Sequence, residues 1–189
     1  MNTPAHLLIG VAAFARPAQG AALWAALLGS LLPDLSLYVM ASASLYILNI
    51  PAQVVFDQLY FSPAWQKVFA VDNSFFVWGT ALGLGLWRGW HLLTIGASAG
   101  LLHLVMDFFL HAGDGRPQFW PLSSWVFDSP ISYWDSTHQA MWVAPISMAV
   151  CLAAYAVLWQ RGLSIGAKLF FAVFLAAELW VVRQWIMYF

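Results

Sequence analysis

LLHLVMDFFLHAGD, residues 101–114, sets His103, Asp107 and His111 at i, i+4 and i+8 in a run that otherwise dissolves in lipid. At 3.6 residues per turn these three side chains share one stripe of a helix. A polar or ionisable group in hydrocarbon is costly unless it has a partner, so an apolar helix carrying three of them marks a functional site. Two more residues of the same kind, His6 and Asp34, stand in apolar stretches of their own.

The rest of the chain fits a bilayer solvent. Of 189 residues, 62% are hydrophobic and 8% charged, with a mean hydropathy of +0.76. A water-soluble domain of this length has no means of hiding that much apolar surface, so an all-α helical membrane bundle is expected, as one domain over 1–189. The net charge of -1 offers no footprint for nucleic acid. A single cysteine, Cys151, excludes an internal disulfide and a cysteine-ligated metal cluster. Trp65, Trp87, Trp90, Trp120, Trp125, Trp134, Trp142, Trp159 and Trp185 flank the apolar runs, as an interfacial aromatic belt does.

Six apolar segments are expected, at about 4–15, 20–40, 71–87, 92–111, 140–159 and 166–187. The first is about 18 Å long at 1.5 Å per residue and does not cross a ~30 Å core, so it reads as a half-membrane helix among the others. Thr3 as N-cap and Pro4 at the first helical position give it a start, and no basic region precedes it as in a cleavable signal. Pro33 is expected to kink or end the second segment near Asp34. Residues 41–70 are polar and aromatic, with room for a short surface helix. Residues 112–139, rich in Gly, Pro, Ser, Asp and Trp, read as a long functional loop. Gly79-x3-Gly83 and Gly96-x3-Gly100 are expected to bring the third and fourth segments close together.

If the segments alternate in direction, Arg16, Arg88, Arg161 and Lys168 share one side, which the positive-inside rule makes cytoplasmic. His6, Asp34, Asp72 to Ser74, Asp107, His111, Asp135 and His138 then gather toward the other side. Imidazole nitrogen and carboxylate oxygen are the usual ligands of Zn²⁺, Mn²⁺ or Fe in hydrolytic sites. Along one helix His103 and His111 stand ~12 Å apart and Asp107 ~6 Å from each, so Asp107 either joins His103 at one ion or bridges two. Plainer readings exist for several of these residues. Asp72-Asn73-Ser74 suits an N-cap, Asp34 suits turn chemistry after Pro33, and His6 suits a hydrogen bond between helices. His91, beside Trp90 and Arg88, reads as interfacial. Glu178, deep in the last segment, either pairs with a polar group on another helix or is protonated.

TPAHLLIG at the start, then SLLPDLS, then LLHLVMDFF followed by GRPQFWPL, together resemble the YdjM-like family. Its members are inner-membrane proteins described as metal-dependent hydrolases, some as LexA-binding. The resemblance spans roughly residues 1–122 and matches His6, Asp34, His103 and Asp107 to the family's motif positions. It implies that these four ligate a divalent metal. The family's Thr-His-Ser element falls at Asp72-Asn73-Ser74, where no histidine stands. Asp72 is the oxygen ligand available there, and His111 an addition that compensates. The helical His/Asp arrangement is also similar to zinc-dependent phospholipase C, which implies a phosphoester substrate.

The expectation is therefore a membrane-embedded hydrolase of a lipid-accessible (phospho)ester. His6, Asp34, His103 and Asp107 would hold Zn²⁺, or Mn²⁺ or Fe. His111 and Asp72 would supply acid–base chemistry, and Arg116 would pair with a phosphate. Membrane lipid is the expected partner, and the bacterial inner membrane, with the site facing the periplasm, the expected location. Two other readings stand beside it: a non-enzymatic scaffold whose buried His/Asp cluster is structural, and a small transporter or ion-binding protein.

Overall fold

The computed structural model describes residues 1–16 and 20–188, with the side chains of Trp185, Ile186 and Tyr188 outside the described set. The chain is all-helical. Its elements are α1 (Thr3–Phe14), α2 (Gly20–Ser42), α3 (Ala52–Val54), α4 (Pro63–Asp72), α5 (Phe75–Arg88), α6 (His91–Leu110), α7 (Ala140–Gln160) and α8 (Ile165–Tyr188). Single turns of π-helix follow α2 and α3, and a 3₁₀ turn covers Ser136–His138. Among the described residues, five stretches are long and apolar enough to cross a bilayer: Gly20–Ile47, Pro63–Arg88, His91–Leu110, Ala140–Gln160 and Ile165–Gln184. The chain is an integral membrane protein.

The short α1 is the hub. It packs on α2 and α6 on one side and on α7 and α8 on the other. A helix that is apolar around most of its circumference is stable only when enclosed. Ala5, His6, Leu7, Leu8, Gly10 and Val11 are accordingly all buried. Its first residue is Thr3, with Asn2 at the N-cap position, so Thr3 is not the cap. Its hydroxyl is free to leave the helix, and it donates to Asp34 Oδ2 at 2.6 Å.

Pro33 does not end α2, which continues to Ser42. A proline contributes no N–H to the ladder and loosens the turn before it. The nearby carbonyls take up side chains from elsewhere: Ser30 O faces His103, and Pro33 O accepts from Asn73 and Arg116. The third expected segment also begins earlier than its hydropathy suggests. α4 and α5 form one apolar stretch interrupted at Asn73–Ser74. Asn73 donates to Phe69 O and Pro33 O. Ser74 caps α5 by accepting from Phe76 N and Val77 N, and its hydroxyl donates to Trp120 O. Irregular backbone at this depth persists because protein groups satisfy it.

The close packing expected of α5 on α6 is seen at Gly100 but not at Gly79, Gly83 or Gly96. A Cβ on Gly79 or Gly83 would meet nothing within 4 Å. Gly96 instead faces α2, where a Cβ on Gly29 would fall 2.0 Å from Gly96 O. Gly100 does lie against α5, under the ring of Trp78. Close backbone approach thus joins α2 to α6, the two helices that carry Asp34 and Asp107.

The contacts also order the ends. Arg161 Nη1 donates to Ala15 O at 2.7 Å, setting the C-terminal ends of α7 and α1 together. α1 runs antiparallel to α2, since Gly10 meets Ser30 while Thr3 meets Asp34. α2 runs parallel to α6, since Gly29 meets Gly96 while Asp34 nears His103. The polar residues therefore lie toward the end opposite Arg161. Gly29→Leu is expected to lower the melting temperature in detergent, corresponding to about 1–3 kcal/mol of overpacking or more. Gly79→Leu, on the open face of α5, is expected to leave it unchanged.

Candidate metal centre

Asp107 is the centre of the site. Its Oδ1 lies 2.9 Å from His6 Nε2 and 2.5 Å from the amino nitrogen of Met1. Its Oδ2 lies 3.2 Å from His103 Nε2 and 3.4 Å from His111 Nε2. Three imidazoles, from α1, from α6 and from the end of α6, thus meet one carboxylate that is 6% exposed. His6 and His103 stack with ring centroids 3.6 Å apart and planes 8° from parallel.

His111 reaches Asp107 for a reason the helical spacing hides. α6 ends at Leu110, and His111 is extended, with φ -111° and ψ 111°. The ~12 Å axial separation expected of a continuous helix therefore does not apply. The ring turns back, and its Nδ1 lies 3.0 Å from Asp114 Oδ2. Burial works against protonation of His111, but Asp107 and Asp114 outweigh it and hold its pKa above the usual imidazole value.

Asp34 stands at the edge. It is 3.7 Å from His103 Nε2, while its own oxygens accept from Thr3 and, at 3.1 Å, from Arg116 Nη1. Arg116 comes from the loop after α6 and is buried. Nη1 also donates to Pro33 O and to Asn73 Oδ1, Nε lies 3.5 Å from the Tyr60 hydroxyl, and the ring of Phe69 lies beneath the guanidinium. Arg116 is first of all the counter-ion of Asp34.

Asp72 is not brought to the site. It ends α4, and its carbonyl accepts from Trp78 Nε1, while its neighbour Asn73 turns inward. One residue of helical phase separates the two, so a Cap-like triplet does not reveal which member faces the core. Asp135 and His138 also stay outside, paired with each other at 2.8 Å in the loop before α7. His91 is exposed at the start of α6, as an interfacial residue should be. Glu178 is fully buried and accepts from Asn2 Nδ2 at 3.2 Å. The residues not anticipated from sequence are Thr3, Ser30, Tyr60 and Asp114. Only Asp114 carried a signal, three residues beyond His111.

The donor set fits a divalent cation. One ligand atom each from His6, His103 and Asp107 lie within 4.8 Å of one another. Ligands about 2.0–2.1 Å from a tetrahedral Zn²⁺ are ~3.3 Å apart, close to the contacts seen here. Hydrogen bonding argues the same way. His103 Nδ1 lies 2.7 Å from Ser30 O, an acceptor only, so Nδ1 carries the proton. In the neutral ring Nε2 is then a lone pair aimed at Asp107 and, more distantly, Asp34. A cation between that lone pair and the carboxylates would satisfy all of them. His6 Nδ1 is buried without a partner. Ser30 O is the kind of outer partner that orients a ligating histidine.

No protein-family model, curated protein or solved structure matches the chain.

Asp34→Ala leaves the Arg116 guanidinium buried without its anion and is expected to cost about 3–5 kcal/mol. Asp34→Ala/Arg116→Met is expected to recover most of that loss, measured by denaturant unfolding in detergent micelles.

Proposed function

We propose that the protein is a membrane-embedded, metal-dependent hydrolase of a lipid-accessible (phospho)ester. The observation that carries this reading is the His103 ring, fixed by Ser30 O so that its free lone pair points at Asp107 among two further imidazoles. His6, His103 and Asp107 are the proposed primary ligands of Zn²⁺, with Mn²⁺ or Fe as alternatives, and Asp34 completes the set from the side. When bound, such an ion acts as a Lewis acid on the ester and makes water a better nucleophile at neutral pH.

The chain's own residues divide the remaining work. Asp114 holds the Nδ1 side of His111, which leaves Nε2 to take or return a proton at the reacting oxygen. Asp114 is a positioning residue in this scheme, and Asp72 has no part in it. Arg116 orients Asp34 and Asn73, and it lines the cavity beside Asp107. Arg116 and Asp34 together keep that wall near neutral, so the substrate meets a fixed dipole. The apolar helices around the site exclude bulk water, which strengthens each of these interactions.

The resemblance of the first 122 residues to the YdjM-like family supports the same ligands and the same class of reaction. It also supports the bacterial inner membrane as the location. The excess of basic residues at the end opposite the site supports a periplasm-facing site.

A structural scaffold would need no ion, and elemental analysis separates the two. Detergent-purified protein is expected to carry close to one equivalent of a divalent metal, lost in His103→Ala/Asp107→Ala. Near-zero metal in both would overturn the proposal. Against a soluble chromogenic phosphoester, Asp114→Asn is expected to lower kcat by about 10–100-fold while metal content is retained.

A further inference from the structure

A cavity of about 180 Å³ adjoins the Asp107 cluster. Its two ends differ in chemistry. The inner end presents Asp34, Asp107, His111 and Arg116, whereas the outer end is formed by Leu37, Tyr38, Ala41 and Phe56. Tyr38 is 48% exposed and Phe56 47%, so the gap between them is where the cavity meets its surroundings.

The depth of that gap decides what the surroundings are. At 1.5 Å per residue, Tyr38 lies about 27 Å and Ala41 about 32 Å along α2 from Gly20. A hydrocarbon core is ~30 Å thick, so the mouth lies where acyl chains give way to headgroups. The segment beyond it exposes several large apolar and aromatic side chains. Tyr46 is 79% exposed, Ile47 75%, Leu48 64% and Phe61 52%. Asp57 is the one charged residue between positions 43 and 61. Large apolar side chains exposed together, here with Asn49, Gln53, Asp57 and Gln58 among them, mark contact with lipid or protein rather than water. At the membrane boundary the aromatic ones suit the lipid interface.

The inner end supplies the complement of a phosphoester. Nη1 and Nε of Arg116 are engaged with protein acceptors, whereas Nη2 makes no hydrogen bond among the described residues. A guanidinium N–H is a strong donor to a phosphate oxygen. We propose that the cavity opens sideways into the bilayer between Tyr38 and Phe56 and seats one phospholipid. Its phosphoester lies toward Arg116, and its chain leaves past Leu37, Ala41 and Phe56. This assigns a substrate class to the hydrolase reading and rests on it for turnover, but the seat itself does not require turnover.

Two measurements test the seat without reading activity. Cys151 is buried and is the single cysteine, so Cys151→Ser gives a background for labelling. Nitroxides on Tyr38→Cys and Phe56→Cys, in phosphatidylglycerol/phosphatidylcholine vesicles, should collide several-fold more with oxygen than with a water-soluble nickel chelate. Ser136→Cys, in the exposed loop, should show the reverse. Nickel access at both mouth positions equal to that at Ser136→Cys would overturn the proposal. In the second measurement, a phosphatidylglycerol with a diazirine on its acyl chain is photolysed in the same vesicles. Adducts on the peptide holding Leu37–Phe56 should fall at least several-fold in Ala41→Trp and stay unchanged in Gly79→Trp. Equal yields in all three proteins would also overturn it. Protein without metal but with these lipid signatures would overturn the hydrolase and leave the lipid seat standing.

Discussion

The structure depends on one carboxylate that cannot stand alone. Asp107 is 6% exposed in the C-terminal half of a bilayer-spanning helix. An isolated charge there would cost several kcal/mol even after relaxation. Nitrogen surrounds it instead: Met1 and His6 on Oδ1, His103 and His111 on Oδ2. Met1 and His6 belong to the N-terminal segment, whereas His103 and His111 flank Asp107 along α6 and its end, so satisfying Asp107 fixes how α1 meets α6.

That constraint accounts for the unusual role of α1. A twelve-residue helix is too short to cross the membrane, yet it is the element that touches both halves of the bundle. Its apolar surface requires enclosure, and His6 sets its register against α6. The close approach of Gly29 to Gly96 brings α2 near enough for Ser30 O to hold the His103 ring. Pro33 sits in the same region of α2, and the carbonyls around it face Asn73 and Arg116 instead of solvent. Backbone irregularity, close packing and site geometry are one arrangement here rather than three.

The loop after α6 closes the arrangement from above. Residues 111–139 fold back over the helix end: Ser129 N donates to His111 O, Tyr133 N to Leu110 O, and Tyr60 reaches Asp114 O. The loop's Phe119, Trp125 and Phe127 form an aromatic cluster with Phe75 of α5 and Phe108 of α6, in which Phe127 stacks on Phe108. A loop held this firmly can deliver Arg116 and Asp114 to fixed positions. Burial opposes the charge of Arg116, but Tyr60 and Asp34 outweigh it and hold its pKa above the ordinary guanidinium value. The cation therefore stays charged, and the wall it forms beside Asp107 keeps a constant electrostatic character.

What the amino-acid order determined was the class of fold and the main polar stripe. Apolar runs of about twenty residues are read correctly because hydropathy and length are local properties. α6, α7 and α8 fall within a few residues of expectation, and the i, i+4 relation of His103 and Asp107 survives as a direct contact. The first helix was legible as short for the same reason. Tertiary structure alone decided the rest. Asn73, not Asp72, faces the core, because a break between α4 and α5 sets the local phase. Gly79 and Gly83 look outward while Gly96 meets α2, because a small-residue spacing does not name its partner. Arg116 is bound to Asp34, and Asp114 to His111, through contacts between segments or across a helix end, where backbone direction rather than sequence distance sets which groups meet. Sequence lists the groups that hydrocarbon cannot leave unpaired; only packing chooses their partners.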